Sequence, residues 1–165
     1  MYFFLWKANG APTFFKPWLN IPSEDYYFVN IFLLAPSMLI CWLLASSMVQ
    51  VFSKALGGDG SFEQTLILIA LSINISMWGS LIHDLPMSFL SMVGVIDARQ
   101  HEIDMNTPTV FRTILWACYL LYLLSFLILF PLSVKVVHRL KTLHCIWIGW
   151  TSFIVFQLIF LIFNR

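Results

Sequence analysis

The stretch TILWACYLLYLLSFLILFP, Thr113–Pro131, runs for nineteen residues without an Asp, Glu, Lys or Arg. A helix of about 20 mostly apolar residues crosses the hydrocarbon core of a bilayer, so this stretch reads as a transmembrane span that begins just after Arg112. Three further runs have the same character: Phe28–Val51, Phe62–Ile82 and Cys145–Phe163. The single charge inside any of them is Glu63, at the second position of its run, where a carboxylate favours the positive end of a helix. Together the runs occupy about half of the 165 residues, which leaves no room for a soluble catalytic domain.

Composition agrees. Hydrophobic residues make up 60% of the chain and charged residues 10%, against about 25% charged in an ordinary soluble domain. The net charge is +1 and the nine Lys and Arg are scattered, so no basic face exists to hold a nucleic acid. Disorder requires low hydrophobicity and a coiled coil requires charged flanking heptad positions; neither is present. The expectation is an all-α, polytopic transmembrane helical bundle of four long helices plus one short helix.

The short helix is LPMSFLSMVGVI, Leu85–Ile96, too brief for an ordinary span and too apolar for a loop. It fits a re-entrant segment, an interfacial one or a fifth span. Ser88, Ser91 and Gly94 recur every three residues and form a small-residue stripe suited to close helix packing. Positive-inside counts nearly tie for four and five spans. Placing the dense basic cluster of residues 134–144 inside favours five spans with an inside N-terminus, which groups Lys7 and Lys16 with Lys135, Arg139 and Lys141.

The division expected is an N-terminal segment, residues 1–27, followed by the transmembrane domain, residues 28–165. Tyr2, Phe3, Phe4, Trp6, Phe14, Phe15 and Trp18 alternate with Lys7 and Lys16, as suits a segment lying among lipid headgroups. It lacks the basic start, apolar stretch and cleavage site of a secretory signal. Helix boundaries are legible too. Ser61 with Gln64 spells a capping box, and Thr107-Pro108 reads as an N-cap followed by Pro at the first helical position. Pro36 and Pro131 are expected to kink their helices rather than stop them.

The most specific local feature is Leu56-Gly57-Gly58-Asp59-Gly60-Ser61-Phe62, between the first two spans. It is no Walker A loop, having neither the Lys nor a preceding strand. Two readings remain: a tight hairpin whose glycines take positive φ, or a turn presenting backbone amides to a lipid phosphate or another anion. FSKALGGDGSFEQTLILIALS resembles the membrane domain of the Yip-one family, the Ypt/Rab-interacting multi-pass proteins. There a GG-x-GSF turn joins the first span to a Thr-Leu-rich second one. APSMLICWLLASSMVQVF, IHDLPMSFLSMVGVI and VKVVHRLKTLHCIWIGW are similar to the shorter prokaryotic members, so the resemblance covers residues 28–163.

The resemblance implies about five spans, a cytoplasmic N-terminus, no enzymatic activity and a prokaryotic cytoplasmic membrane. Eukaryotic relatives bind prenylated Rab-type GTPases. This chain departs from them in having only 27 residues before its first span, which counts against GTPase binding.

Other constellations are sparser. His83-Asp84, with His101, Glu102 and Asp104 further on, makes the one candidate metal set, and ordinary interfacial polarity is the preferred reading. The residues face each other if Leu85–Ile96 is re-entrant and separate if it spans. Cys41, Cys118 and Cys145 are isolated and read as inert thiols. Ser72, Ser76 and Ser80 share a helix face with Gly79 and read as a packing face, with Asn74 pointing the opposite way. Asn74 and Gln157 are the deep amides, the candidate lining of a polar path. Val134–Leu143 reads as an interfacial basic helix in which Lys135, Arg139 and Lys141 contact anionic lipid. No nucleophile–base pair, metal signature or cofactor motif appears. The functional expectation is a non-enzymatic interaction or membrane-organising protein whose partners are the lipid bilayer and another membrane protein or a second copy. Gly57, Gly58, Gly60, Ser61 and Phe62 are its candidate contact motif. The alternative is a passive channel or carrier for a small solute.

Overall fold

The computed structural model describes residues 1–11 and 19–164. Phe14, Phe15, Lys16 and Trp18 of the aromatic segment lie outside these residues. Among the described residues six helices follow one another: α1 Tyr2–Lys7, α2 Tyr26–Ala55, α3 Phe62–Met92, α4 Ala98–Asp104, α5 Val110–His138 and α6 Thr142–Phe163. Four of them, α2, α3, α5 and α6, are long and apolar enough to cross a membrane.

These four form a ring in which α2 packs on α3, α3 on α5, α5 on α6, and α6 back on α2. Large apolar side chains such as Phe32, Ile67, Trp78, Ile128 and Trp147 face outward, as hydrocarbon solvent allows. The interfaces instead use small groups that bring backbones together. Ser72 Oγ meets Ser133 Oγ at 2.7 Å across the α3–α5 seam. A Cβ on Gly79 would stand 2.6 Å from the Tyr122 nitrogen, and one on Gly149 2.5 Å from the Pro131 nitrogen. Ser72 and Ser76 are buried while Asn74 is exposed, as helical spacing predicts. The centre of the ring is filled by Phe126, Phe130, Phe153 and Phe156 against Cys41, Ala45 and Ile69.

Leu85–Ile96 is neither re-entrant nor a fifth span. Leu85–Met92 continues α3, with Pro86 inside the helix, and the chain turns away only after Met92. The His83-Asp84 pair breaks the hydropathy but not the backbone hydrogen-bond ladder. At 31 residues α3 is about 46 Å long, well beyond the roughly 30 Å of hydrocarbon, so its last turns rise past the membrane core. There Ser88 and Ser91 are buried, while Gly94 sits in the following turn with φ +77°. Pro36 and Pro131 likewise lie within helices.

Four crossings put residues 1–11, α4 and the end of α6 at one end of the bundle, the α4 end. The 56–61 and 139–141 connections lie at the other, the turn end. The five-span grouping is therefore undone: Lys7 stands with Arg99 and Arg112, and Lys54, Lys135, Arg139 and Lys141 stand opposite. Two boundary readings also change. The α5 N-cap is Thr109, which accepts from the Arg112 N–H at 3.2 Å, rather than Thr107. The basic connection is no continuous helix, because Arg139 takes φ +55° and a three-residue turn separates α5 from α6.

Candidate functional site

At the turn end, Ser61 caps α3 in a complete box: Gln64 N–H donates to its hydroxyl and its own N–H donates to Gln64 Oε1, each at 3.2 Å. Gly57 takes φ +82° with open space around it. Gly58 and Gly60 are needed for a different reason, close approach to α5. A Cβ on Gly58 would stand 2.9 Å from His138 Cβ, and one on Gly60 would run into Val137. Beneath them Thr65 Oγ1 meets Gln50 Oε1 at 2.9 Å and His138 Nε2 at 3.0 Å. The amides of Gly57, Gly58, Asp59 and Ser61 all donate to acceptors within the chain, so these four are not free to hold an anion. Gly57, Ser61 and Phe62 remain exposed. Lys135 donates to Thr142 Oγ1 at 3.1 Å, and Arg139 and Lys141 are exposed beside it. The basic trio is thus gathered at one surface, around a turn instead of along a helix.

The α4 end is open. A cavity of about 500 Å³ lies between α3, α5 and α6 and is covered by α1 and α4. Its inner wall holds Met77, Tyr122, Gln157, Phe160 and Leu161, and its outer part His83, Asp84, His101, Glu102, Asn106 and Arg112. Gln157 lies about two turns inside the end of α6. Its Oε1 accepts from the Tyr122 hydroxyl at 2.9 Å, and Tyr122 packs edge-on against the buried Phe126 at 4.8 Å. The aromatic core thus floors the cavity.

The outer part is held by short-range chemistry. His83 Nδ1 lies 2.9 Å from Asp84 Oδ1, and the His83 side chain is only 8% exposed. Its other ring nitrogen, Nε2, is buried and has no hydrogen-bond partner. The His101 ring stacks on that of His83 at 5.8 Å, which the turn after α3 makes possible. Burial, and next the neighbouring His83, push the His101 pKa below its ordinary 6.5; Glu102, Asp104 and Asp84 pull the other way. Glu102 accepts from the Tyr27 hydroxyl at 2.9 Å, tying α4 to α2. Packed over this end, Tyr2 of α1 contacts Tyr26 and Tyr27, and the Lys7 ammonium sits 4.6 Å over the Trp6 ring.

No family model, curated protein or solved structure matches this chain. The Yip-one resemblance accordingly rests on the residues of the turn and the texture around it.

Among the described residues no group of three His, Cys, Asp or Glu could hold a metal. His83 and Asp84 instead bond each other. Asn74 and Gln157 do not meet: Asn74 is exposed on the outer face of α3, whereas Gln157 lines the cavity. Reading by segment missed Tyr122 and Arg112 as site residues. A phenol in mid-span needs a hydrogen-bond partner, which is the signal that would have found Tyr122. In the sequence Arg112 reads only as a span boundary.

Proposed function

We propose that this is a non-enzymatic integral membrane protein of the interaction or membrane-organising kind, and that its interacting element is the cavity at the α4 end, which takes up an amphiphilic molecule from the bilayer. The observation that carries this reading is the polarity gradient of the cavity, charged outside and uncharged, mostly apolar, within. Its volume lies in the range of small-molecule sites. A reaction finds no support in the arrangement: among the described residues His83 Nε2 meets no hydroxyl or thiol that it would activate. The resemblance of the glycine turn to the Yip-one family adds to the non-enzymatic reading and points to a prokaryotic cytoplasmic membrane. The exposed Gly57, Ser61, Phe62, Arg139 and Lys141 at the turn end offer a separate contact surface for another membrane protein or for anionic lipid. GTPase binding has no support beyond that resemblance.

Passive solute passage is the weaker alternative. The two deep amides do not share a route, and Phe126, Phe130 and Phe156 are fully buried beneath the cavity floor. Native mass spectrometry of the protein released from its membrane by mild detergent tests the proposal. A retained amphiphile at one per chain is expected, and it should be lost in Ser88→Trp and Leu161→Trp, which fill the cavity from two walls. A wild-type protein that retains nothing, and whose vesicles pass small neutral solutes, would reverse the ranking.

A further inference from the structure

The outer part of the cavity carries a more specific recognition chemistry, and the following rests on the cavity reading above. We propose that it selects a phospholipid whose headgroup joins a phosphate to a primary ammonium, with Arg112 taking the phosphate and Asp84, Glu102 and His83 Nε2 taking the ammonium.

The argument begins at His83. A carboxylate only accepts hydrogen bonds, so the imidazole proton resides on Nδ1, facing Asp84 Oδ1 at 2.9 Å. With the proton on Nδ1, this tautomer leaves Nε2 as an acceptor. It is shut away from water without a donor, a state that protein interiors rarely leave uncompensated. The His83 ring lines the cavity, so a ligand that enters there and opens the packing over this nitrogen satisfies it by bringing an N–H or O–H. His101 stacks against the same ring and covers one face, so the donor comes in along the ring edge.

Charge narrows the choice. Asp84 and Glu102 line the cavity as carboxylates and Arg112 as a guanidinium, an acceptor-only set beside a donor-only group. An ammonium with three N–H donors matches the first, and a phosphate matches the planar fork of arginine. A quaternary ammonium presents no N–H and leaves Nε2 unpaired, the situation in which polar sites discriminate best. A wholly anionic headgroup meets two carboxylates, a repulsive element against it. The apolar wall at Met77, Leu115, Phe160 and Leu161 receives the start of an acyl chain, which is why the ligand is a lipid and not the free headgroup.

The test uses the full chain in vesicles holding equal amounts of phosphatidylethanolamine and phosphatidylcholine with identical acyl chains, extracted into mild detergent and weighed by native mass spectrometry. Wild-type protein should retain phosphatidylethanolamine over phosphatidylcholine by about tenfold or more, the ratio expected when one hydrogen bond separates two ligands. His83→Leu should lower the ratio severalfold while lipid is still retained, and Asp84→Asn should lower it in the same direction. Arg112→Gln should reduce retention of both lipids. Thermal unfolding checks that each variant is folded, and the wild-type ratio tests the proposal without any variant. Equal retention by the wild type, or preference for phosphatidylglycerol when that lipid is added, overturns the headgroup assignment and leaves the cavity reading standing. A wild type that retains no lipid at all overturns both.

Discussion

Each end of the bundle buries a histidine with one ring nitrogen unpaired: His138 Nδ1 at the turn end and His83 Nε2 at the α4 end. Their surroundings are opposite. His138 Nδ1 is pressed against the glycine turn so closely that a Cβ on Gly60 would come within 2.9 Å of it. The His83 ring belongs to the wall of a cavity of about 500 Å³. The same chemical deficit is thus a cost of packing at one end and a recognition element at the other. What separates the two is whether there is space for a partner.

The comparison breaks most visibly at the closed end. Gly60→Leu drives a side chain into Val137 and should destabilise the fold by about 3 kcal/mol, the upper range for overpacking, read as a lower midpoint of thermal unfolding in detergent. Thr65→Val, which takes away the hydroxyl shared by Gln50 and His138, should follow at about 1–3 kcal/mol. Variants at the open end should separate stability from binding. His83→Leu removes an unpaired nitrogen together with the Nδ1 bond to the partly exposed Asp84 and should cost about 1–2 kcal/mol while lowering lipid selectivity. A destabilisation as large as that of Gly60→Leu would mean that His83, like His138, is a packing residue.

The smallest effect expected is on pH dependence, and its sign follows from His101. Its folded-state pKa lies below 6.5, so just under that value the unfolded chain binds more protons than the native one. Stability is therefore fully present above about pH 6.5 and declines as pH falls toward the folded-state pKa. His83, Asp84, Glu102 and Asp104 surround the group, and the carboxylates moderate the decline. The thermal midpoint should drop between about pH 7.5 and 5.5, and His101→Gln should flatten that slope. An unchanged slope in the variant would assign the decline to the other histidines.

Much of the architecture can be read without coordinates because it depends on local periodicity and solvent. Four apolar runs must be helices in a bilayer, where every backbone group needs an internal partner. Ser61 and Gln64 spell a cap within one turn, and Ser72, Ser76 and Gly79 fall on one face by spacing alone. The same locality explains what was misread. Leu85–Ile96 looks like a separate segment because His83-Asp84 interrupts the hydropathy, yet helix propagation follows the hydrogen-bond ladder, so the segment extends α3.

Which residues meet was decided by the tertiary structure. His83 and His101 become neighbours only because α3 overshoots the membrane core and the chain then turns back. Asn74 and Gln157, alike in depth and chemistry, part because the rotation of each helix about its axis is set by its neighbours. Gly58 and Gly60 find their purpose in Val137 and His138, more than seventy residues away. Composition and period determine which groups enter the membrane; the packing of one helix against another determines which of them are left with a cavity to fill.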